Sequence, residues 1–192
     1  MSKEIWFTSD LHVDHKNIIE YCNRPWTFEN QREEIITRWN SRVGLMDEVY
    51  HLGDFVFTGS KGVDKVVELI KELNGVITFI KGNHCQDNLW KMIEDRNLAH
   101  VKEICHYKEI TIDRNKVCMF HFPMMSFNKM HHGAWHLHGH CHGSLNAPGK
   151  ILDVGIDNHP DHQVFSLDEV RSHMNSREVA VWDHHDSKSG RE

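Results

Sequence analysis

Residues 63–84 read VDKVVELIKELNGVITFIKGNH. Apolar side chains recur at Val63, Val66, Val67, Ile70 and Leu73, the spacing of one helix face, and Asn74-Gly75 supplies the stop. Val76 to Ile80 is then a short β-prone run, and Gly82-Asn83-His84 follows it with an amide oxygen and an imidazole. Helix, strand and polar loop in that order are the parts of an α/β sheet, in which ligands gather at the carboxyl ends of the strands.

The same order extends toward the N-terminus. Ile5 to Ser9 reads as a strand ending in Asp10-Leu11-His12, and Glu48 to Leu52 as a strand ending in Gly53-Asp54. Asn17 to Cys22 and Glu29 to Val43 read as helices, the second with Ile35, Ile36 and Trp39 on one face. This βαβαβ opening predicts a mainly parallel sheet with crossover helices. Toward the C-terminus the texture changes. Tyr107 to Ile112, a turn at Asp113-Arg114-Asn115 and Lys116 to His121 read as a hairpin, and Ala134 to His138 and Ile151 to Ile156 add two strands. Ser166-Leu167-Asp168-Glu169 has the form of a capping box opening a helix to about Met174. The expected fold is an α/β sandwich of two facing mixed sheets flanked by helices. It is expected to form one domain over residues 1–182, followed by a polar, disordered tail over residues 183–192.

Composition narrows the functional classes. With 39% apolar and 26% charged residues the 192-residue chain reads as soluble and globular. Eighteen histidines exceed what packing requires and lean toward metal. A net charge of −6 argues against a chain dominated by phosphate-backbone contacts, although bound cations would still admit an anionic substrate. Cys22, Cys85, Cys105, Cys118 and Cys141 are odd in number and form no Cys-x-x-Cys pair, so reduced thiols in the cytoplasm are expected. No signal-like segment follows Met1 and no long apolar window occurs, so neither secretion nor a membrane partner is expected.

Five islands carry the chemistry: Asp10-Leu11-His12, Gly53-Asp54, Gly82-Asn83-His84, His121 and Gly139-His140-Cys141-His142. Each alone would pass for an ordinary turn; the ordered set beyond strand ends does not. Two cations about 3.5 to 4 Å apart can acidify a water and clamp phosphoryl oxygens, provided that one carboxylate bridges them. Asp10, His12, Asp54, Asn83, His121, His140 and His142 supply oxygen and imidazole donors, with Asp54 the natural bridge.

In that order the islands resemble the calcineurin-like metallophosphoesterase family, whose pattern is Asp-x-His, Gly-Asp, Gly-Asn-His, a lone His and Gly-His-x-His. Ser9-Asp10-Leu11-His12 followed by His15-Lys16-Asn17-Ile18-Ile19, together with His121-Phe122-Pro123-Met124, is similar to its small bacterial and phage branch. The resemblance implies a metallophosphoesterase-type sandwich and two divalent ions, Mn²⁺ favoured, with Fe, Zn²⁺ and Ni²⁺ as alternatives. It assigns Asp10, His12 and His142 to one ion, Asn83, His121 and His140 to the other, and Asp54 to both. A hydroxide held by the two metals would attack phosphorus while His84 acts as general acid on the leaving oxygen. Where the protein Ser/Thr phosphatase branch carries an Asp-Arg pair, this chain has Phe57 and Thr58, so phosphoprotein phosphatase activity is disfavoured and a diester is preferred over a monoester. Cys85 follows His84 where the family usually has an acid, leaving the orientation of His84 to another group.

His15, Lys16 and Asn17 are either substrate contacts at a helix start or plain helix-start residues, and His136 and His138, which continue the alternate spacing of His140 and His142, either face the same site or are strand residues satisfied by neighbouring backbone. Cys85 and Cys141 read as packing residues. The expected partner is a small phosphoester, a nucleotide among the options. A nuclease acting on DNA or RNA ends is less favoured, because Lys61, Lys65, Lys71 and Lys81 form no visible basic groove. The reading from a different class is a non-catalytic, metal-stabilised interaction module, which Phe57 and Cys85 keep open and His84 opposes.

Overall fold

The computed structural model describes residues 3–180; the tail expected over 183–192 lies outside them. Strand β1 (Ile5–Thr8) pairs in parallel with β2 (Glu48–His51), β2 with β3 (Val76–Ile80), and β3 with β4 (Val101–Cys105). The short β9 (Phe165–Ser166) closes the far side of β1 antiparallel, giving the order β4-β3-β2-β1-β9. A second sheet runs β5 (Tyr107–Ile112), β6 (Asn115–Phe120), β7 (Trp135–His138), β8 (Ile151–Asp153), with an antiparallel hairpin first and parallel pairs after it. Both sheets are mixed, as expected.

Strand alternation sorts the core into two layers. Phe7, Tyr50, Leu52 and Ile80 face inward and meet Val117, Met119, Leu137 and Leu152 of the second sheet. Trp6, Val49, Ile77 and Phe79 face outward and are covered by helical residues such as Trp39, Val66, Ile70 and Trp90. Each such large side chain, when fully buried, contributes about 1.5–3 kcal/mol.

The helices are α1 (Ile18–Tyr21), α2 (Gln31–Asn40), α3 (Val63–Glu72), α4 (Asp87–Asp95) and α5 (Leu167–Asn175). Helix α3 stops where expected, and Gly75 follows at φ +94°, packed so closely on Val43 and Val49 that a Cβ would crowd both. Helix α5 opens on the expected capping box: the Glu169 N–H donates to Ser166 Oγ at 3.2 Å and the Ser166 N–H to Glu169 Oε2 at 2.7 Å. Three boundaries differ. Helices α1 and α2 are shorter than their apolar patterns, and strand β8 ends at Asp153, after which residues Ile156–Asn158 form a 3₁₀ turn. Helix α4 and strand β4 were not anticipated; Leu89, Trp90 and Ile93 on the inner face of α4 are its signature. Among the described residues no helix is long and apolar enough to cross a membrane.

The strand ends place the five islands together. The segment after β1 runs beside the segment after β2: the Asp10 N–H donates to the Gly53 carbonyl at 3.0 Å and the His12 N–H to the Asp54 carbonyl at 2.9 Å. Ser9 also forms a parallel bridge with Gly155, beyond β8, linking the two sheets at the same end.

Candidate metal centre

At these strand ends Asp10, His12, Asp54, His140 and His142 all adopt positive φ, between 45° and 71°. Left-handed backbone costs a non-glycine residue about 1–3 kcal/mol and persists only where surrounding structure enforces it. Five such residues in one cluster are strain concentrated at one place, and its effect is to turn side chains back over the strand ends. Leu11, 1% exposed, anchors the first turn in the core while Asp10 and His12 on either side face the cluster. Gly82 and Gly139 are required by close approach: a Cβ at Gly82 would collide with the Asp54 carboxylate, and one at Gly139 with Ser9 and Asp10.

Two ligand sets result. Asp10, His12 and His142 offer atoms within 4.8 Å of one another, and so do Asp54, His121 and His140. Asp54 lies between them, its Oδ2 being 3.3 Å from His121 Nε2 and 3.7 Å from His12 Nε2. The side-chain oxygen of Asn83 is 2.9 Å from the same His121 nitrogen. The structure thus brings these seven residues together at one end of the sheets.

Supporting contacts aim the donors. His121 turns Nδ1 to the Leu52 carbonyl at 2.8 Å and His142 turns Nδ1 to Asp157 Oδ2 at 2.7 Å, which leaves Nε2 of each for the cluster. Asp10 Oδ2 accepts the His140 N–H and Asp54 Oδ1 accepts the His84 N–H, both at 2.9 Å. Asp10 Oδ1 and both ring nitrogens of His12 are buried without a hydrogen-bond partner. Buried polar atoms are almost always paired, so these orphans fit a divalent cation, and the mix of carboxylate, amide and imidazole donors suits Mn²⁺, Fe or Zn²⁺.

The two buried carboxylates are held as anions, as cation ligands must be. Burial pushes the Asp54 carboxyl up, but the hydrogen bond and charge of His121, the His84 N–H and the charge of His12 outweigh it and bring it down to about 2. Asp10 is likewise held below the usual carboxylate range, burial being outweighed by His12, His142 and His121. Burial disfavours charge on His142, yet the Asp157 carboxylate, with Cys22 and Asp10, raises its pKa to about 10. Cys22, His142 and Asp157 also cluster tightly. Arg24 occupies both oxygens of Asp157, at 2.8 and 2.9 Å, so a cation already fills that place.

A cavity of about 400 Å³ opens over the centre, lined by His12, His15, Tyr21, Asp54, His84 and His142 among others. His84 is exposed, its ring 5.3 Å from that of His12 and 5.7 Å from that of Phe57. Among the described residues no carboxylate holds its imidazole; the backbone bond to Asp54 and these ring contacts position it. Cys85 is buried and its thiol donates to the Val56 carbonyl at 3.2 Å, the packing role expected. Phe57 packs edge-on against His15 at 4.2 Å.

The other expected substrate contacts separate. His15 lines the cavity. Lys16 and Asn17 are exposed and do not line it, and α1 spans only four residues, too short to present a helix-terminal anion site. His136 does not line the cavity either: of its two expected places it takes the strand one, satisfied by backbone. It is fully buried, its Nδ1 lies 3.0 Å from the Cys118 carbonyl, its Nε2 accepts the Met124 N–H at 3.0 Å, and burial brings its pKa down to about 4. Both its nitrogens are spent on backbone. Arg24 and Asp157 were missed, because a lone charge in a loop carries no periodic signal.

No family model matches the chain. The uncharacterised protein MJ1445 of Methanocaldococcus jannaschii is 31% identical over 163 residues, covering 81% of this chain and 82% of its own length. The chain belongs to the family of that protein. The gene 66 protein of Mycobacterium phage L5 is 28% identical over 178 residues, covering 79% of this chain and 86% of the phage protein. Among solved structures, the protein of unknown function AQ665 from Aquifex aeolicus superposes with a TM-score of 0.68 at 21% identity, over 89% of this chain and 99% of its own, which shows a shared fold.

Proposed function

We propose that this protein is a metal-dependent phosphoesterase that hydrolyses a phosphodiester in preference to a monoester. The observation that carries the reading is two neighbouring ligand sets, with Asp54 Oδ2 3.3 Å from His121 of one and 3.7 Å from His12 of the other, and the orphaned donors of Asp10 and His12 buried there. Asp10, His12 and His142 would hold one divalent ion, Asn83, His121 and His140 the other, and Asp54 both. Bound there, the ions would supply Lewis acidity toward water and the phosphoryl oxygens. Mn²⁺ is favoured by the family resemblance, and Fe, Zn²⁺ and Ni²⁺ suit the same donors.

The remaining steps belong to the chain. Strained turns and glycine contacts hold the donors in place before substrate arrives, so little reorganisation is needed. Of the two cavity imidazoles outside both ligand sets among the described residues, His84 is exposed and His15 half-buried, and the backbone of His84 is tied to Asp54. It would deliver a proton to the leaving oxygen. His15, backed by Phe57, and Tyr21 border the space where a leaving group would lie, and their rings suit a planar group such as a nucleobase. Among the described residues neither Lys nor Arg lines the cavity, which favours a singly charged diester over a doubly charged monoester and supports neither a nucleic-acid groove nor a phosphoprotein substrate. Five free cysteines suit a reducing compartment such as the cytoplasm.

The test is hydrolysis of a generic aryl phosphodiester and the matching monoester by metal-free protein reconstituted with Mn²⁺, Ni²⁺ or Zn²⁺. Faster turnover of the diester is expected. Hydrolysis of neither ester with any of these ions would replace the enzyme with a metal-stabilised binding module.

A further inference from the structure

A buried cation lies against the backbone of the centre. Arg24 is 5% exposed, although its guanidinium must remain charged. All three nitrogens are engaged: Nε donates to Asp157 Oδ1 at 2.8 Å, Nη2 to Asp157 Oδ2 at 2.9 Å and to the Asp10 carbonyl at 2.6 Å, and Nη1 to the Leu11 carbonyl at 2.7 Å. Asp157 Oδ2 in turn meets Nδ1 of His142 at 2.7 Å. One planar fork therefore reaches the left-handed Asp10-Leu11-His12 turn directly and His142 through a carboxylate. Those are the three residues of one ligand set. The other set is held differently, by the Leu52 carbonyl on His121 and the His84 N–H on Asp54.

Resting on the two-metal reading, we infer that Arg24, acting through Asp157, is the positioning residue of the Asp10, His12 and His142 metal site. It holds the strained turn closed and keeps Nε2 of His142 toward the ion. The fork geometry matters as much as the charge, because an ammonium cannot span a carboxylate and two carbonyls at once. Asp157 neutralises the guanidinium, so the arrangement adds no net positive charge behind a cation site.

The test is titration of the metal-free full-length protein with Mn²⁺ by calorimetry, paired with electron paramagnetic resonance of the loaded samples. Wild-type protein should take up two equivalents and give the spectrum of a coupled pair. Asp157→Asn, which preserves shape, and Arg24→Lys, which preserves charge, should each keep one tight equivalent, weaken the other about 10- to 100-fold and give the spectrum of an isolated ion. Adding Asn83→Ala to Asp157→Asn should remove the remaining equivalent. If Arg24→Lys fails to fold by circular dichroism, Asp157→Asn decides alone. A coupled pair bound with wild-type affinity in a folded Asp157→Asn protein overturns the inference while the two-metal reading stands, and so does loss of both equivalents in that protein. A wild-type protein that binds fewer than two equivalents overturns the two-metal reading and the inference with it.

Discussion

Oδ2 of Asp54 lies 3.3 Å from Nε2 of His121, and the carboxylate that makes this contact is 1% exposed. A buried charge of this kind is stable only where cations surround it. Histidines of both ligand sets approach it, and His121 is itself held above the ordinary histidine range, burial being outweighed by Asp54 and Asp10. Asp54→Asn should therefore disable both sites at once. Elemental analysis of that protein should find less than one metal per chain and assays no turnover; two metals per chain would remove Asp54 from the bridging position.

His84 stands outside both ligand sets, so its role separates from metal binding. His84→Ala should lower kcat by about 10²- to 10⁴-fold with metal content unchanged. A parallel fall in metal content and rate would make it a ligand or a structural residue instead.

Metal should also stabilise the fold, because the orphaned atoms of Asp10 and His12 gain partners only when it binds. Free Mn²⁺ at 100 times its Kd contributes about 2.7 kcal/mol by mass action. Thermal melts with Mn²⁺ and with a chelator should differ accordingly; coincident melts would mean that the folded state binds no metal.

Two buried histidines should weaken the fold in acid. His51 has no partner for either ring nitrogen and packs edge-on against Phe55; burial brings its pKa down to about 3, against the opposing charges of Asp10 and Asp54. His136 is brought down to about 4. Both folded values lie below the unfolded one, near 6.5, so the stabilisation is complete above pH 6.5 and declines as pH falls toward 4 and 3. Each histidine removes about 1.4 kcal/mol per pH unit over that interval. His51→Leu should flatten the slope and raise stability by roughly 1–3 kcal/mol, since it deletes an unpaired buried polar group. Urea titrations of metal-free protein at pH 5 and pH 7 would show this, and an unchanged pH difference in His51→Leu would contradict it.

The sequence disclosed the parts whose physics is local or periodic. Val63 to Leu73 marks α3, the run Val76 to Ile80 marks β3, and Ser166 with Glu169 marks the start of α5. The seven expected ligands lie on strand-end loops, and strand order alone brings such loops together. What stayed hidden depends on long-range contact. Nothing at position 24 announces that an arginine will be buried against Asp157, more than a hundred residues away. The alternation that pointed His136 at the site was correct as a period, but a buried strand satisfied its ring with backbone from Cys118 and Met124. The positive φ of Asp10, His12, His140 and His142 is likewise imposed by packing, because these residue types do not require it.

Anomalous scattering from crystals grown with Mn²⁺ tests the two-metal centre most directly. Two peaks are predicted, one bounded by Asp10, His12 and His142, the other by Asn83, His121 and His140, with Asp54 touching both. A single peak, or one held by Cys22, His142 and Asp157, would contradict it.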